Sequence, residues 1–426
     1  MNVGFKQSNC SQRKAFHLSP IPTMATPSLR RPVLSLPAAA SRALARRPPR
    51  RRISAYGYEQ AKALTFADYG DPAAILSLHA HSIAPAHGAL LTLRFLAAPI
   101  NPADINQLQG VYPSKPTFTT DMGTAAPLAV GGNEGVAEVI AVGADAAKAG
   151  WQKGDWAIMR APGFGTWRTH AQTTADRLLK LEPEWLRGGG EDVTPVQAGT
   201  VSVNPCTAYR MLRGFAALRE GEWFVQNGAN SGVGRAAVQL GRIWGYRSIN
   251  VVRARETAEQ TDALRRELQE LGATVVVTED EAQGKGFADR VKEATGGGRD
   301  NVRLALNCVG GKSATALAKV LSPEGAHVTY GAMARQPVQL PFALMVFKNI
   351  RFEGFWVSRW SEQNPDDKAR AVAEVLAWTR EGKFRDAPTD PVKWTWDTKQ
   401  DELVKAVDGT LGGYRKGKGV FVFEGT

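Results

Sequence analysis

An alternation of short apolar segments with helical patterns, beginning near residue 196, constrains the fold of this chain more than any other feature. Six segments are of strand length: Trp223–Gln226, Ser248–Val252, Thr274–Thr278, Arg303–Asn307, His327–Tyr330 and Ile350–Phe355. Helical periodicity lies between them, at Gly234–Trp244, Thr257–Leu271, Ala288–Ala294 and Ser313–Leu321. Strands that alternate with helices form a parallel sheet covered on both faces. The pattern therefore predicts a doubly wound, Rossmann-type nucleotide-binding domain.

Residues 59–195 have a different hydrophobic pattern. Short alternating or β-branched segments, such as Leu90–Leu96, Gly135–Val142 and Asp155–Met159, are separated by Gly and Pro. This spacing predicts a strand-rich, barrel-like domain. A helix at Asp366–Thr379 and an apolar strand at Gly419–Phe423 follow the α/β unit, and we expect them to return to the first domain.

A glycine-containing turn joins the first strand of the α/β unit to its first helix. Small residues there allow a diphosphate to approach the backbone, where N–H groups and the helix dipole would bind it. The fingerprint positions hold Ala229, Ser231 and Gly234, so the motif alone is weak, and its place at the start of a βαβ unit supports it. We interpret the turn as a dinucleotide site; a turn that serves packing alone is the alternative.

The second strand of this unit is followed by Arg253-Ala254-Arg255. A site selective for NAD usually has an acidic residue here, which binds the ribose 2′-hydroxyl. Guanidinium groups suit a 2′-phosphate instead. We therefore predict NADPH rather than NADH as the cofactor, although the two arginines alone would be read as a solvated loop.

The excess of positive charge lies at the N-terminus. The chain has 53 basic and 41 acidic residues, a net charge of +12, but 11 basic residues and no acidic one precede Glu59. The remaining 42 basic and 41 acidic residues give little reason to expect a nucleic-acid partner. An acid-free segment rich in Arg, Ser, Ala and Pro is typical of a mitochondrial transit peptide, which we predict at residues 1–55. A basic tail without a targeting role is the alternative.

Cysteine content and hydropathy exclude further classes. Cys10, Cys206 and Cys308 are too few for a disulfide framework or a four-cysteine zinc site, and we expect the last two to pack as small buried groups. No uninterrupted apolar segment approaches the roughly 18–20 residues of a transmembrane helix, so no membrane span is predicted.

Several segments together resemble one known family. They are Asn101–Asn106 (NPADIN), Gly110–Pro113 (GVYP), Gly131–Gly135 (GGNEG), Val203–Arg210 (VNPCTAYR), Leu306–Ser313 (LNCVGGKS) and Gly354–Trp356 (GFW). From about residue 60 to the C-terminus the chain resembles mitochondrial enoyl-[acyl-carrier-protein] reductases, also called trans-2-enoyl-CoA reductases. These belong to the zinc-free branch of the medium-chain dehydrogenase/reductase superfamily, and the stretch Pro113–Val130 looks like the fungal form.

The resemblance implies a GroES-like partial β-barrel catalytic domain plus a Rossmann domain, in a homodimer of the mitochondrial matrix. The expected boundaries are 56–198 and 346–426 for the catalytic domain and 199–345 for the NADPH-binding domain. The implied reaction is NADPH-dependent reduction of a trans-2-enoyl thioester of acyl-carrier protein or CoA, in mitochondrial fatty acid synthesis. A quinone or enone reductase of the same superfamily is the alternative, and a nucleic-acid-binding protein that retains the fold is a more distant one.

The resemblance also assigns the site residues. Hydride adds to C3 of the substrate and C2 must receive a proton, for which a tyrosine hydroxyl is suited; the family's proton donor matches Tyr112. The implied cofactor contacts are Asn204, Asn230, Ser231, Gly232, Val233, Arg253, Arg255, Tyr330, Gly331, Ala332, Met333, Phe355, Trp356, Val357 and Lys418. No metal is expected, because the G-H-E motif of zinc-dependent relatives reads Gly132-Asn133-Glu134 here. Residues 117–126 lengthen the loop after Tyr112, and Arg187–Asp192 forms a Gly-rich insertion.

Overall fold

A parallel sheet and a mostly antiparallel barrel organise the part of the chain that the structure describes. The structure is a computed structural model that describes residues 57–297, 302–410 and 417–426, all of which fall in one compact unit. The expected transit peptide, with Cys10, lies outside the described residues. The strands are β1 Glu59–Phe66, β2 Ser77–Ile83, β3 Leu90–Pro99, β4 Ala129–Val130, β5 Val136–Val142, β6 Trp156–Met159, β7 His170–Thr174, β8 Leu178–Leu181, β9 Trp223–Gln226, β10 Arg247–Val252, β11 Val275–Thr278, β12 Val302–Asn307, β13 Ala326–Thr329, β14 Arg351–Gly354, β15 Thr389–Trp394 and β16 Lys418–Phe423.

Helices connect and cover these strands. They are α1 Pro72–Ile75, α2 Pro102–Leu108, α3 Ala144–Lys148, α4 Pro183–Leu186, α5 Pro195–Thr200, α6 Asn204–Gly214, α7 Gly232–Ile243, α8 Ala258–Leu271, α9 Glu279–Gln283, α10 Phe287–Ala294, α11 Gly311–Val320, α12 Phe342–Lys348, α13 Val357–Gln363, α14 Pro365–Arg380 and α15 Gln400–Asp408. A short 3₁₀ helix occupies Ala175–Arg177. Within the ranges described, no helix is both long enough and apolar enough to cross a membrane.

The parallel sheet has the order β11-β10-β9-β12-β13-β14, with every neighbouring pair parallel. This is the doubly wound order. Strands β10 and β11 are added on one side of β9 and strands β12 to β14 on the other, so the strand order switches between β9 and β12, which is where such folds bind ligands. All six strands expected from the sequence are present. Helix α7 begins two residues earlier than expected, because the Ser231 hydroxyl accepts a hydrogen bond from the Gly234 N–H at 3.2 Å and caps the helix.

The barrel is completed by the end of the chain. Its larger sheet has the order β15-β16-β3-β5-β6-β8, with β7 also paired to β3. Strand β16 pairs antiparallel with β3, with Val420 opposite Pro99. The expected return of the C-terminal strand to the first domain is therefore confirmed. The helix expected at Asp366–Thr379 is also present, as α14. Strands β2, β1 and β4 form a smaller sheet beside it.

The hydrophobic core continues from one sheet to the other. One cluster contains Ala97 and Val136 of the barrel, Met211 of α6, Phe224 of β9 and Val375 of α14. The fold class expected from the sequence is confirmed. The domain boundaries remain a prediction, and β14 lies after the expected boundary at residue 345 although it belongs to the parallel sheet.

Candidate active site

Local geometry of the chain places Tyr112 at the entrance of a cleft. Helix α2 starts at Pro102, and the Asn101 backbone N–H donates to Asp104 Oδ2 at 2.7 Å. Gly110 then takes a positive φ of 72°, which favours glycine, and the Tyr112 N–H donates back to the Asn106 carbonyl at 3.1 Å. This tight turn brings the Tyr112 side chain to the same cleft as Ala103 and Asp104 of α2.

The phenol of Tyr112 contacts the indole of Trp356, which lies 244 positions later in the sequence. Trp356 Nε1 donates to the Tyr112 hydroxyl oxygen at 2.8 Å, and the two rings are nearly perpendicular, with centroids 5.9 Å apart. Because the oxygen accepts this hydrogen bond, its own proton remains available to a second acceptor. Burial raises the pKa of Tyr112, while hydrogen bonds from Trp356 and Ser358 act in the opposite direction and the Asp104 carboxylate adds to the increase. The hydroxyl is therefore protonated at neutral pH.

The Tyr112 side chain lines a cleft of about 70 Å³ to which the barrel, the segment before α6 and helices α13 and α14 contribute residues. Its other lining residues are Asn101, Ala103, Asp104, Asn133, Met159, Arg160, Ala161, Pro162, Ser202, Val203, Val357, Ser358, Ser361 and Lys368. The set combines an apolar rim with buried carboxyl, amide and ammonium groups. Such a combination is typical of a small-molecule site.

Asp104 and Asn133 form the first half of a buried polar network in this cleft. Asn133 Nδ2 donates to Asp104 Oδ1 at 2.6 Å and to Gln107 Oε1 at 3.0 Å, and Asn133 Oδ1 accepts from the Gly163 N–H at 2.6 Å. Burial raises the pKa of Asp104 to about 6, against the hydrogen bonds from Asn101 and Asn133 that lower it. Asp104 therefore has a pKa closer to neutral pH than an exposed carboxyl group, because it is almost fully buried.

Glu134 forms the second half and joins three parts of the chain. One carboxylate oxygen accepts from the Val203 N–H at 2.8 Å, and the other accepts from Asn101 Nδ2 at 2.9 Å and lies 3.5 Å from Lys418 Nζ. Val203 is the residue that precedes helix α6, and Lys418 begins strand β16. The network therefore ties the barrel, the start of α6 and the C-terminal strand together.

A second buried cation lies beside this network. Lys368 of α14 is buried, and its ammonium group donates to the Ser202 carbonyl oxygen and lies 6.0 Å from the Trp360 ring centre. The Ser202 hydroxyl donates in turn to Glu134 at 3.3 Å. Two carboxyl groups and two ammonium groups thus share one largely desolvated region, which reduces the cost of burying any one of them.

The glycine turn has a shape that suits a dinucleotide. A Cβ at Gly232 would lie 2.4 Å from Asn204 Nδ2, and one at Gly234 would lie 2.5 Å from the Ala229 carbonyl oxygen. Side chains are therefore excluded where a diphosphate would approach the start of α7. Asn204, Gly232 and Lys418 line one small cavity together. This brings three of the expected cofactor residues into one place.

The remaining expected cofactor residues lie along the carboxyl edge of the parallel sheet. Arg253 and Arg255 are exposed directly after β10, which leaves their guanidinium groups accessible to a phosphate. Tyr330 and Gly331 follow β13, and the exposed Met333 is held by a hydrogen bond from its N–H to the Cys308 carbonyl oxygen at 2.8 Å. The donor set and the open backbone fit an NADP-type dinucleotide.

Comparisons with known proteins decide the family. A model described as zinc-binding dehydrogenase matches residues 232–376. The mitochondrial enoyl-[acyl-carrier-protein] reductase of Yarrowia lipolytica is 42% identical over 358 residues, covering 84% of this chain and 90% of that protein. This chain belongs to the mitochondrial enoyl-[acyl-carrier-protein] reductase family. A solved Etr1p/NADP/crotonyl-CoA complex superposes with a TM-score of 0.79 at 38% identity over 85% of this chain and 99% of that one. The Etr1p/Etr2p heterodimer from Candida tropicalis also matches, with a TM-score of 0.79, 39% identity and the same coverages.

The zinc in the matched model's description does not fit the residues of this reductase-family chain. Asn133 stands where zinc-dependent relatives have histidine, and both atoms of its amide are engaged with protein partners. Cys206 and Cys308 are both buried, as expected, and lie on α6 and after β12. In the ranges that the structure describes, no group of three or more His, Cys, Asp or Glu side chains is arranged to hold a metal ion.

Some expected residues of the reductase site take roles that the sequence did not indicate. Phe355 packs against Phe215 and Trp360, with ring centres 5.8 and 6.4 Å away, whereas its neighbour Trp356 contacts Tyr112 directly. The Asn230 carbonyl oxygen accepts from Arg235 Nε at 3.0 Å. Val233 lies in the first turn of α7, Ala332 is exposed, and Val357 lines the Tyr112 cleft.

Sequence reasoning missed the buried charges. It named Glu134 and Asn133 only as parts of a motif without zinc, and it did not name Asp104 or Lys368 as site residues. A polar residue at an otherwise apolar helical position, as at Lys368, was the available signal. Which partner satisfies such a residue depends on chain segments far away in the sequence.

Proposed function

We propose that this chain is an NADPH-dependent reductase of trans-2-enoyl thioesters, carried by acyl-carrier protein or by CoA, in mitochondrial fatty acid synthesis. The observation that carries the proposal is the Tyr112 phenol, which is protonated, oriented by Trp356 and placed at a cleft lined by Val203, whose neighbour Asn204 lies against Gly232 of the glycine turn. The similar Etr1p structure holds NADP and crotonyl-CoA, and crotonyl-CoA is an enoyl thioester. The named relatives are mitochondrial, which supports the same location for this chain.

NADPH, when bound, supplies the hydride that adds to C3 of the enoyl group. Negative charge then develops toward C2 and the thioester oxygen, and a proton must be delivered to C2. Tyr112 holds that proton at its hydroxyl oxygen. The indole N–H of Trp356 donates to the same oxygen, so it stabilises the phenolate that remains after the transfer.

The cofactor side of the site is assigned to the residues that fit it. Asn230, Ser231, Gly232 and Val233 would hold the diphosphate at the start of α7. Arg253 and Arg255 would bind the 2′-phosphate, and Asn204, Tyr330 to Met333, Phe355 to Val357 and Lys418 would surround the nicotinamide half. Arginine pairs favour a phosphate over a hydroxyl, because their charge-assisted hydrogen bonds are lost on the latter.

The partner in the assembly is proposed to be a second copy of this chain. Strand β14 ends the parallel sheet, and the helix before it, α12, exposes Phe342, Met345, Val346 and Phe347 by 53–78%. An edge strand beside an exposed apolar helix is a surface that a second copy would cover by symmetric pairing. The Etr1p/Etr2p heterodimer shows that a similar protein pairs with a related chain. A related chain is therefore the other candidate partner.

The function is tested by following NADPH oxidation with crotonyl-CoA and longer enoyl-CoAs, and separately with a quinone. We expect turnover with the enoyl thioesters and little with the quinone. Turnover with the quinone alone would show that the superfamily's other reductase activity applies, and the role of Tyr112 would then have to be withdrawn.

A further inference from the structure

A second, larger cavity lies on the barrel, away from the cofactor residues. It measures about 590 Å³, and the strands β2 and β7 form one side of it while the lengthened loop after Tyr112 forms another. Among its lining residues are Thr117, Thr119, Arg168, Gln172 and Arg177. Hydroxyl, amide and guanidinium groups therefore face one shared space.

Two guanidinium groups at this cavity share a single aromatic ring. The guanidinium carbons of Arg168 and Arg177 lie 5.0 and 5.1 Å from the centre of the Phe164 ring. Since both are about 5 Å from the same point, they are at most about 10 Å from each other. Both side chains also line the cavity, so an anion bound inside it has two guanidinium groups as candidate partners.

The positive charge at this cavity is not neutralised by an ion pair within the part of the chain that the structure describes. Neither arginine forms an ion pair with a carboxylate of the described residues. Asp121 is the one acidic residue among those that line the cavity. Arg168 donates through Nη2 to the Phe164 carbonyl oxygen at 3.0 Å, but its Nε is buried without a partner. Burial, and then Arg177, lower the pKa of Arg168 to about 10, so the Arg168 side chain is cationic at neutral pH.

The cavity is separated from the Tyr112 cleft by one short loop. Arg160, Ala161 and Pro162 line the cleft, whereas Gly163 and Phe164 line the cavity. The Gly163 N–H is bound to Asn133 of the cleft network. The Tyr112 cleft and the cationic cavity are therefore neighbours in the fold, with residues of this loop lining both.

We propose that Arg168 and Arg177 bind a phosphate group, of the kind that the thioester carrier brings with its phosphopantetheine arm. This rests on the proposed function for the source of the phosphate, but not for the site itself. Guanidinium pairs bind phosphate through paired, charge-assisted hydrogen bonds.

The kinetic test compares crotonyl-CoA with crotonyl-pantetheine, which lacks phosphates, using full-length Arg177→Gln. We expect the KM for crotonyl-CoA to rise about threefold to tenfold, with no change for crotonyl-pantetheine or NADPH. Arg168→Lys should show the same pattern if it folds. Arg187→Gln, which removes an exposed arginine that does not line this cavity, is the matched control and should behave as the wild type.

The binding test titrates inorganic pyrophosphate into the wild type and Arg177→Gln, and the basic N-terminal segment cancels because both proteins contain it. Weaker pyrophosphate binding with a raised KM supports a carrier phosphate. Weaker binding with an unchanged KM supports a site for free phosphate and rejects the carrier. If neither quantity changes, the site is rejected. Because pyrophosphate binding needs no turnover, it decides the matter even if the chain reduces no enoyl thioester.

Discussion

Tyr112 and Trp356 are 244 positions apart in the sequence and 2.8 Å apart in the fold. A phenol alone is a poor acid at neutral pH, because its unperturbed pKa is about 10. The indole N–H compensates in part, since it stabilises the charged form that the proton transfer leaves behind. The strength of Tyr112 as a proton donor is therefore a property of the pair.

Replacing Tyr112 with phenylalanine removes the proton and keeps the ring. We expect kcat to fall by about a hundredfold or more, the range of a lost general acid, with little change in NADPH affinity. Steady-state kinetics and NADPH titration measure the two quantities. Tyr246→Phe is the matched control, because Tyr246 packs against Trp244 outside the cleft. Wild-type turnover in Tyr112→Phe would remove the proposed role.

Asp104 makes stability depend on pH. Burial raises its pKa from 3.8 to about 6, so between these values the folded state binds a proton more tightly than the unfolded state. The stabilisation that Asp104 protonation contributes to the folded state is complete below pH 3.8 and is lost as the pH rises through about 6. Asp104→Asn lacks this dependence. We therefore expect the unfolding free energy of the wild type to fall relative to that of Asp104→Asn as the pH rises from 4 to 7. Urea unfolding at both pH values measures this. A constant difference between the two proteins would mean that Asp104 does not titrate there.

At the scale of elements, the ends of helices and strands position the site. Helix α6 begins where Val203 donates to Glu134, and α7 begins at the Ser231 cap. Asn204, the first residue of α6, lies against Gly232, the first residue of α7. The Glu134 contact at one helix terminus is therefore transmitted to the proposed cofactor site through adjacent backbone.

Glu134→Gln removes the charge and keeps the shape of the side chain. Because it leaves Lys418 without its carboxylate in a buried region, we expect a loss of about 3 kcal/mol in unfolding free energy. We also expect the KM for NADPH to rise more than kcat falls, since α6 carries Asn204. Glu138→Gln is the control, because Glu138 pairs with Arg94 in a more exposed position. Equal changes in both variants would contradict a positioning role for Glu134.

The loop after β10 is expected to set the choice of cofactor. Replacing Arg253 and Arg255 with serine should reduce the preference for NADPH over NADH by at least tenfold, because two charged partners of the 2′-phosphate are lost. The ratio of kcat/KM for the two cofactors measures this preference. Neutralising Arg265 and Arg266 on α8 instead is the control, and an unchanged ratio in the first variant would refute the assignment.

At the scale of the whole molecule, the barrel is closed by both ends of the folded chain. Strand β16 supplies Lys418 to the site, and the edge strand β14 with helix α12 forms the surface assigned to a second copy. The site and the proposed interface therefore both depend on the last third of the chain.

Charge on the exposed face of α12 should separate the copies. We expect Val346→Lys with Phe347→Lys to halve the mass seen by light scattering, because charges would be buried in the interface. Arg187→Asp is a surface control that should leave the mass unchanged. A wild type that is already monomeric at micromolar concentration would contradict the proposed assembly.

Local sequence patterns predicted much of the fold. The six parallel strands, helix α14 and the returning strand β16 were all expected from periodicity and from Gly and Pro positions. Helix α9 was not, because five residues are too few to show a period; the capping box of Thr278 and Glu281 was its only local signal. The names of the site residues came from family resemblance, since eight tyrosines look alike to a periodicity argument.

The sequence by itself determined the α/β order, the glycine turn, the arginines after β10 and the family. Each is a local pattern of side-chain size, charge or backbone freedom. Only the tertiary structure decided that Trp356 orients Tyr112, that Glu134 and Lys418 meet, and that Arg168 and Arg177 face one cavity. These contacts join residues distant in the sequence, and their energies depend on burial, which no local pattern contains.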